Sequence, residues 1–269
     1  MANTCSVSNV SNPRSLDDLR PRKLWQVVGN EPVTARLSPE MKNGLQSNLL
    51  LFHGPTGSGK TTLARILAAS QFCKQPDVDG NPCGNGCSRC RDGLDQIVEY
   101  WEWSGADLNA HWSWWADNFS RELLLGGHAF FLDEAQDLDE KYQKVLLKQL
   151  EWATNLFIMA TTHINKINDA LVSRFQPNVF EMRRPTPDQA TQALVDVCGT
   201  LEIQISKPVA YRVVASYGCD MRKCTNFAYA AKRQSPSKII TDEFVTLVLG
   251  TAPAAQTTMK ARSRAPAKL

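Results

Sequence analysis

Eight consecutive residues, Gly54-Pro55-Thr56-Gly57-Ser58-Gly59-Lys60-Thr61, fit the pattern G-x-x-x-x-G-K-[ST]. Glycines in this arrangement let backbone N–H groups wrap a phosphate, and the N-terminus of the following helix adds its partial positive charge. The apolar run Leu49–Phe52 precedes the loop and a helical pattern, Thr61–Ser70, follows it. Strand, loop and helix in that order are the context the motif requires, and they argue against a glycine-rich turn that carries a lysine by accident. Lys60 is then expected to reach the β- and γ-phosphates of ATP, with the Thr61 hydroxyl on Mg²⁺ and Thr62 completing the cradle.

About seventy residues further on, Phe130-Phe131-Leu132 runs into Asp133 and Glu134. A strand buried on both faces would deliver Asp133 to the Mg²⁺ shell beside the phosphate loop. Glu134, one residue on, is placed to orient or deprotonate a water. Alone, such an acidic pair is a solvated turn; the loop upstream gives it a partner.

A third group is Cys73, Cys83, Cys87 and Cys90, spaced x9, x3 and x2 in a segment broken by Pro76, Gly80, Pro82, Gly84 and Gly86. Four thiolates on a loop-rich excursion suit tetrahedral Zn²⁺, whose binding can fold a segment that has no core of its own. A redox pair or free thiols are the alternatives. With four protein ligands the ion would be structural, since no coordination position is left open.

Positioning these groups takes a sheet. Strand-length apolar runs at Leu49–His53, Gln96–Trp103, His128–Leu132, Asn155–Thr161 and Val179–Met182 alternate with helical patterns at Lys60–Ser70, Trp112–Leu125, Glu140–Ala153 and Lys166–Arg174. This predicts an α/β fold with a parallel sheet flanked by helices. Arg183-Arg184-Pro185-Thr186-Pro187 reads as a linker, and beyond it only helical patterns remain, at Pro187–Thr200, Pro208–Tyr217, Met221–Arg233 and Thr241–Leu249. The expected organisation is a polar segment over 1–18, an α/β domain over 19–182 with the cysteine module inserted at 73–90, a small helical domain over 183–250, and a basic disordered tail over 251–269.

Composition agrees with this plan. The chain has 269 residues, 43% of them hydrophobic, enough for one core and a smaller satellite. Its longest apolar runs fall far short of the ~20 residues of a membrane helix, and the polar start lacks the basic and apolar regions of a secretion signal. A cytoplasmic location without membrane contact is expected. The net charge of +3 is uninformative until divided: Lys260, Arg262, Arg264 and Lys268 lie in the tail, which has no acid, and the remainder is at −1.

These motifs resemble the clamp-loader subunits of the AAA+ ATPases, of the bacterial DNA polymerase III gamma/tau type. The resemblance covers Leu19 to Thr251. It is carried by LRPRKLWQVVGNEPV (Leu19–Val33), LFHGPTGSGKTTLARILA, the cysteine module, LDEAQ followed by VLLKQLE, FIMATTH (Phe157–His163), LVSRF (Leu171–Phe175) and YGCDMRKCTN (Tyr217–Asn226). It implies that Val28 lies by the adenine and that Thr162 is a sensor residue for the attacking water or γ-phosphate. Arg174 matches an arginine finger acting on ATP held by the neighbouring subunit, and Arg222 matches the sensor arginine of the helical lid. It also implies an oligomer of AAA+ subunits, DNA, and a sliding clamp or other recruited protein as partners. Departures are Phe175 where the family has Cys, Leu19 where it has Tyr before Arg-Pro, Cys219 at a customary Gly position, and altered cysteine spacing. The resemblance ends with the lid, without the family's collar domain.

Two surface features stay open. Trp101 and Trp103 share one face of a strand and are expected to pack inward, with Trp112 and Trp115 as a helical core stripe. Trp114, on the other side of its helix, fits a base or partner platform as well as it fits packing. Lys141, Lys144 and Lys148 form a stripe opposite Leu146, Leu147 and Leu150, either for DNA phosphates or as a solvated face paired with Glu140. The function expected is a DNA-associated clamp-loader-type ATPase that assembles with ATP and releases on hydrolysis. The alternative is an ATP-gated scaffold on DNA that recruits a partner and uses hydrolysis as a timer.

Overall fold

The computed structural model describes Pro13 and residues 15–45, 48–125, 127–234 and 238–250, so the expected basic tail lies outside the described residues. In chain order the elements are α1 (Glu31–Lys42), β1 (Leu49–His53), α2 (Lys60–Phe72), α3 (Ser88–Asp92), β2 (Tyr100–Ser104), α4 (Gly105–Ala110), α5 (Trp112–Leu125) and β3 (Ala129–Asp133). They continue with α6 (Glu140–Gln149), β4 (Leu156–Thr161), α7 (Asp169–Arg174), β5 (Val179–Glu181), α8 (Pro187–Thr200), β6 (Gln204–Ile205), α9 (Lys207–Ser216), α10 (Met221–Gln234), β7 (Ile239–Ile240) and α11 (Asp242–Leu249). Among them no helix is long and apolar enough to cross a membrane.

The large sheet is parallel, in the order β2-β3-β4-β1-β5. Its strands are apolar on both faces, and strict alternation sends successive side chains to opposite layers. Leu50, Phe52, Phe131, Ile158 and Ala160 join Leu37 of α1 and Leu63 and Leu67 of α2 in one core. Leu51, Phe130, Leu132, Phe157 and Met159 join Phe119 of α5, Leu146 of α6 and Leu171 of α7 in the other. Truncating a side chain such as Leu50 or Phe157, both essentially inaccessible to solvent, would cost about 2–5 kcal/mol.

Topology then places the chemistry. β1 runs into the glycine loop and β3 ends at Asp133, while β4 lies between these two strands with Thr161 in register with His53. The C-terminal ends of three neighbouring strands therefore open on one crevice, where open α/β sheets bind ligands.

Helices α8 to α11 pack around a separate cluster that includes Leu194, Val213, Val214, Phe227 and Val245, and Leu19 from the start of the chain belongs to it. The two-residue strands β6 and β7 pair in parallel within this layer, a detail too short for the helical patterns to reveal. Elsewhere boundaries moved for local reasons. The second strand begins at Tyr100, because Leu94–Gln96 forms a 3-10 turn. The helix expected from Lys166 starts at Asp169, where the Asn168 side chain accepts the Ala170 N–H as a cap.

Candidate nucleotide-binding site and cysteine cluster

The loop Gly54–Gly59 takes positive φ at Gly54, Gly57 and Gly59, a conformation that glycine adopts without penalty. Lys60, the first residue of α2, is only 6% exposed. Its Nζ donates to the carbonyls of Gly54 (2.8 Å) and Pro55 (3.0 Å), so the ammonium lies folded over the loop it follows. Burial pushes the Lys60 ammonium below its ordinary value, against the pull of Glu134 and Asp133. The Ser58 hydroxyl is buried without a hydrogen-bond partner among the described residues, an open polar position inside a loop built to receive one.

Thr61 Oγ1 donates to Asp133 Oδ2 at 2.7 Å, bringing together the two side chains expected on Mg²⁺. Burial raises the Asp133 carboxyl, held back by the hydrogen bonds from Thr61 and the Glu134 N–H. A half-buried hydroxyl–carboxylate pair of this kind fits a hard divalent cation, whose ligands are oxygens. Glu134 begins the next turn at φ +47°, and its carboxylate faces the same cleft as Thr56, Lys60, Thr61 and Arg222.

A second cavity, of about 270 Å³, lies beyond the loop between the sheet domain and the helical layer. It is lined by Val27, Val28, Gly59, Thr62, Val197 and Met221 among others, and is mostly apolar. It adjoins the phosphate loop and shares Gly57, Gly59 and Thr62 with the first cleft.

Of the four residues taken from the resemblance, Val28 lines this second cavity and Arg222 lines the cleft. Thr162 follows the end of β4, where its Oγ1 lies 2.9 Å from His163 Nδ1 and its N–H donates to Gln136 Oε1 (3.1 Å). Arg174 lies apart from this cleft on α7, with Glu151 at 2.9 Å and about a third of its side chain exposed.

Four positioning residues escaped the sequence reading. Asn30, 2% exposed, donates to the carbonyls of Ser58 and Arg183 and accepts the Arg183 N–H, tying the glycine loop to the linker. Arg184 donates to the Thr56 and Gly218 carbonyls and lies 3.6 Å from Asp220, so it bridges loop and lid. Asp220 caps α10 through the N–H groups of Arg222 and Lys223. Gln136 joins Glu134 to the end of β4. The bonds of Asn30 to Arg183 and of Arg184 to Thr56 span more than a hundred residues and those of Gln136 to β4 about twenty-five, so none leaves a local signature; Asp220, a capping residue before a helical run, could have been read.

The Sγ atoms of Cys73, Cys83, Cys87 and Cys90 all lie within 4.8 Å of one another. Tetrahedral thiolates about 2.3 Å from one ion stand ~3.8 Å apart, so the set can close on a metal ion with little movement. Backbone N–H groups already point at the sulfurs, from Cys83 to Cys73 Sγ and from Cys87 to Cys83 Sγ. Bonds from the Cys90 and Lys74 N–H groups bring the Cys87 thiol down to about 6, favouring the thiolate a metal needs, whereas burial pushes the Cys73 and Cys90 thiols up.

The three lysine candidates are on the surface. Lys141 and Lys144 are exposed and paired with Asp139 (3.4 Å) and Glu140 (2.7 Å), and Lys148 is exposed in the last turn of α6. Trp115 is buried on Phe119, and Trp112 stacks on Tyr142. Trp101 and Trp103 are only half-buried rather than fully inward, because β2 is an edge strand. Trp114, 54% exposed, stacks on Trp101 and covers part of that pair.

Comparison with known proteins bears on the fold and its family. The family described as ATPase family associated with various cellular activities (AAA) matches residues 50–182. DNA polymerase III subunit gamma/tau of Mycobacterium tuberculosis is 32% identical over 184 residues, 65% of this chain and 32% of that protein. DNA polymerase III subunit tau of Bacillus subtilis is 27% identical over 199 residues, 70% of this chain and 34% of that one. The chain thus spans about a third of the length of these relatives. Among solved structures, the Thermotoga maritima RuvB Holliday junction branch migration motor superposes with a TM-score of 0.65 at 20% identity, over 86% of this chain and 72% of RuvB. Domain III of the Thermotoga maritima replication initiation protein DnaA gives 0.61 at 15% identity, over 85% of this chain and 95% of the domain. Residues 50–182 therefore form an AAA ATPase domain, and the relatives in sequence include DNA polymerase III gamma/tau subunits.

Proposed function

We propose that this protein is a DNA-associated ATPase of clamp-loader type, whose subunits assemble with ATP and separate on hydrolysis. The observation that carries this reading is a divided site. Lys60, Thr61, Glu134 and Arg222 converge on one cleft, while Arg174 stands outside it on an accessible helix. An arginine so placed serves the cleft of a neighbouring subunit.

In this reading the loop amides and Lys60 hold the β- and γ-phosphates, and Val28 lines the base pocket. Thr61 and Asp133 hold Mg²⁺, which neutralises charge on the phosphate oxygens. Glu134 accepts the proton of the attacking water as the bond from γ-phosphorus to the bridging oxygen breaks. Thr162 orients that water or the γ-phosphate, Arg222 contacts the γ-phosphate from the lid, and Arg174 is lent in trans. The four cysteines hold a structural Zn²⁺. The relatedness to DNA polymerase III subunits supports DNA as the setting, and the α6 lysines are its candidate contacts, with Asp139 and Glu140 to be displaced by phosphates.

The test is complementation between Lys60→Ala, which loses its own cradle, and Arg174→Ala, which keeps it. Each variant alone should hydrolyse ATP poorly, because a finger is worth ~10³–10⁵ in rate. Mixed, they should recover activity at interfaces that pair an intact loop with an intact arginine. A mixture that co-assembles yet stays inactive would remove Arg174 from the reaction and the shared site with it.

A further inference from the structure

Gln136 lies in the 3-10 turn Ala135–Asp137 that follows the acidic pair. Its flanking residues Ala135 and Leu138 are buried, and the Asp137 N–H closes on the Glu134 carbonyl, so the turn is held in place. From there the side chain makes three hydrogen bonds. Nε2 donates to Glu134 Oε2 at 2.6 Å. Oε1 accepts the Thr161 hydroxyl at 2.7 Å and the Thr162 N–H at 3.1 Å.

The orientation of this amide follows from chemistry. The Thr162 N–H can only donate, and an ionised Glu134 carboxylate can only accept. Oxygen must therefore face β4 and nitrogen must face Glu134. Thr161, fully buried at the end of β4, also accepts the His163 N–H through its hydroxyl. One amide thus connects an acid on the cleft to the strand end that separates the glycine loop from β3.

We infer that Gln136 is a positioning residue for hydrolysis: it pins one oxygen of Glu134 to the end of β4, leaves the other for water, and registers the acid against Thr162. This rests on the reading of Glu134 as the proton acceptor. An unpinned carboxylate on a turn samples several rotamers, and proton transfer is sensitive to such freedom because donor and acceptor must meet within hydrogen-bond reach. The same amide holds the Thr162 N–H, so a γ-phosphate that engages Thr162 and a water that engages Glu134 are aligned by one side chain.

Two substitutions separate positioning from support. Gln136→Met keeps length and volume but makes none of the three bonds. Gln136→Glu keeps the acceptor for Thr161 and Thr162, loses the donor, and sets a second carboxylate against Glu134. Each is assayed as the full chain, with Mg²⁺-ATP, at protein concentrations where the specific activity of the parent has levelled off. Affinity for a fluorescent ATP analogue is measured beside kcat and KM. Both variants should lose kcat by about tenfold or more, and by no more than the ~10²–10⁴ that a positioned base contributes in all, while KM and analogue affinity stay within about twofold. If Gln136→Glu keeps the parental kcat, the amide merely supports β4 and the inference fails. It fails equally if both variants keep kcat, or if both lose nucleotide affinity together with turnover. Glu134→Gln is run alongside: if it turns over at the parental rate, the reading of Glu134 itself is wrong, whatever the Gln136 variants do.

Discussion

The carboxylate of Asp220 occupies the space a β-carbon on Gly57 would need. Gly57 is at the tip of the phosphate loop with φ +77°, and Asp220 caps the lid helix that carries Arg222. Loop and lid therefore touch through a residue without a side chain, and Arg184 braces the contact by bonding to Thr56 on one side and Gly218 on the other.

Gly57→Ala should accordingly weaken nucleotide binding by tenfold or more. The left-handed backbone penalises a side chain by roughly 1–2 kcal/mol, and the new methyl must displace the carboxylate. Asp220→Ala should cost about 1 kcal/mol in stability through the lost cap. The double variant should bind better than the sum of the two predicts, since removing the carboxylate relieves the clash. Isothermal titration with an ATP analogue and thermal denaturation measure both effects; strict additivity would break the link between the two residues.

Asp133→Asn should raise the stability of the metal-free protein at neutral pH while abolishing Mg²⁺-dependent turnover. Burial raises the folded carboxyl above its unfolded value. The folded state therefore binds a proton more tightly than the unfolded one, and ionised Asp133 opposes folding as pH rises through the folded value. The uncharged amide escapes that cost and still fits between Thr61 and the Glu134 N–H. Melting curves against pH, with and without Mg²⁺, read the sign. A metal-free Asn variant no more stable than the parent at pH 7 would contradict it.

Lys60→Ala and Glu134→Gln should fail differently. The first removes the cationic group over the loop and should lose nucleotide affinity. The second keeps the cradle, so it should bind ATP normally and accumulate in the nucleotide-bound assembly with turnover reduced by 10² or more. Filter binding and single-turnover hydrolysis tell them apart.

About one Zn²⁺ per chain should accompany protein purified without chelator. Cys83→Ser should release it and open the segment 73–90 to protease, because metal binding supplies the folding free energy of a segment without a core. Nucleotide affinity should change little. Elemental analysis and limited proteolysis decide; metal-free protein with a protected segment would overturn the assignment.

The parts of the site that were legible in the sequence are those whose spacing is itself the chemistry. The glycine loop, the acids after Phe130–Leu132 and the cysteine set each declare themselves within a few residues, and the alternation of strand and helix patterns was enough to bring the first two together. Asn30, Gln136 and Arg184 were not legible. Asn30 and Arg184 act through bonds to distant backbone groups, as between Asn30 and Arg183 or Arg184 and Thr56. Gln136 closes the LDEAQ segment, but its bonds to Thr161 and Thr162 depend on β4 lying beside β3, which no local pattern shows. The half-exposure of Trp101 and Trp103 was hidden for a related reason: alternation assigns a face, but only strand order tells which strand is at the edge.

Leu19, buried in the lid cluster, stands five residues before Leu24, whose N–H is bonded to Asn81 of the cysteine segment, and Lys23 pairs there with Asp77. Those five residues, even drawn straight, reach no more than about 17 Å. With Leu19 in the helical cluster and Leu24 in the sheet core, they form a second covalent strap between the two layers beside the linker at Arg183–Pro187, and they anchor it next to the cysteine segment.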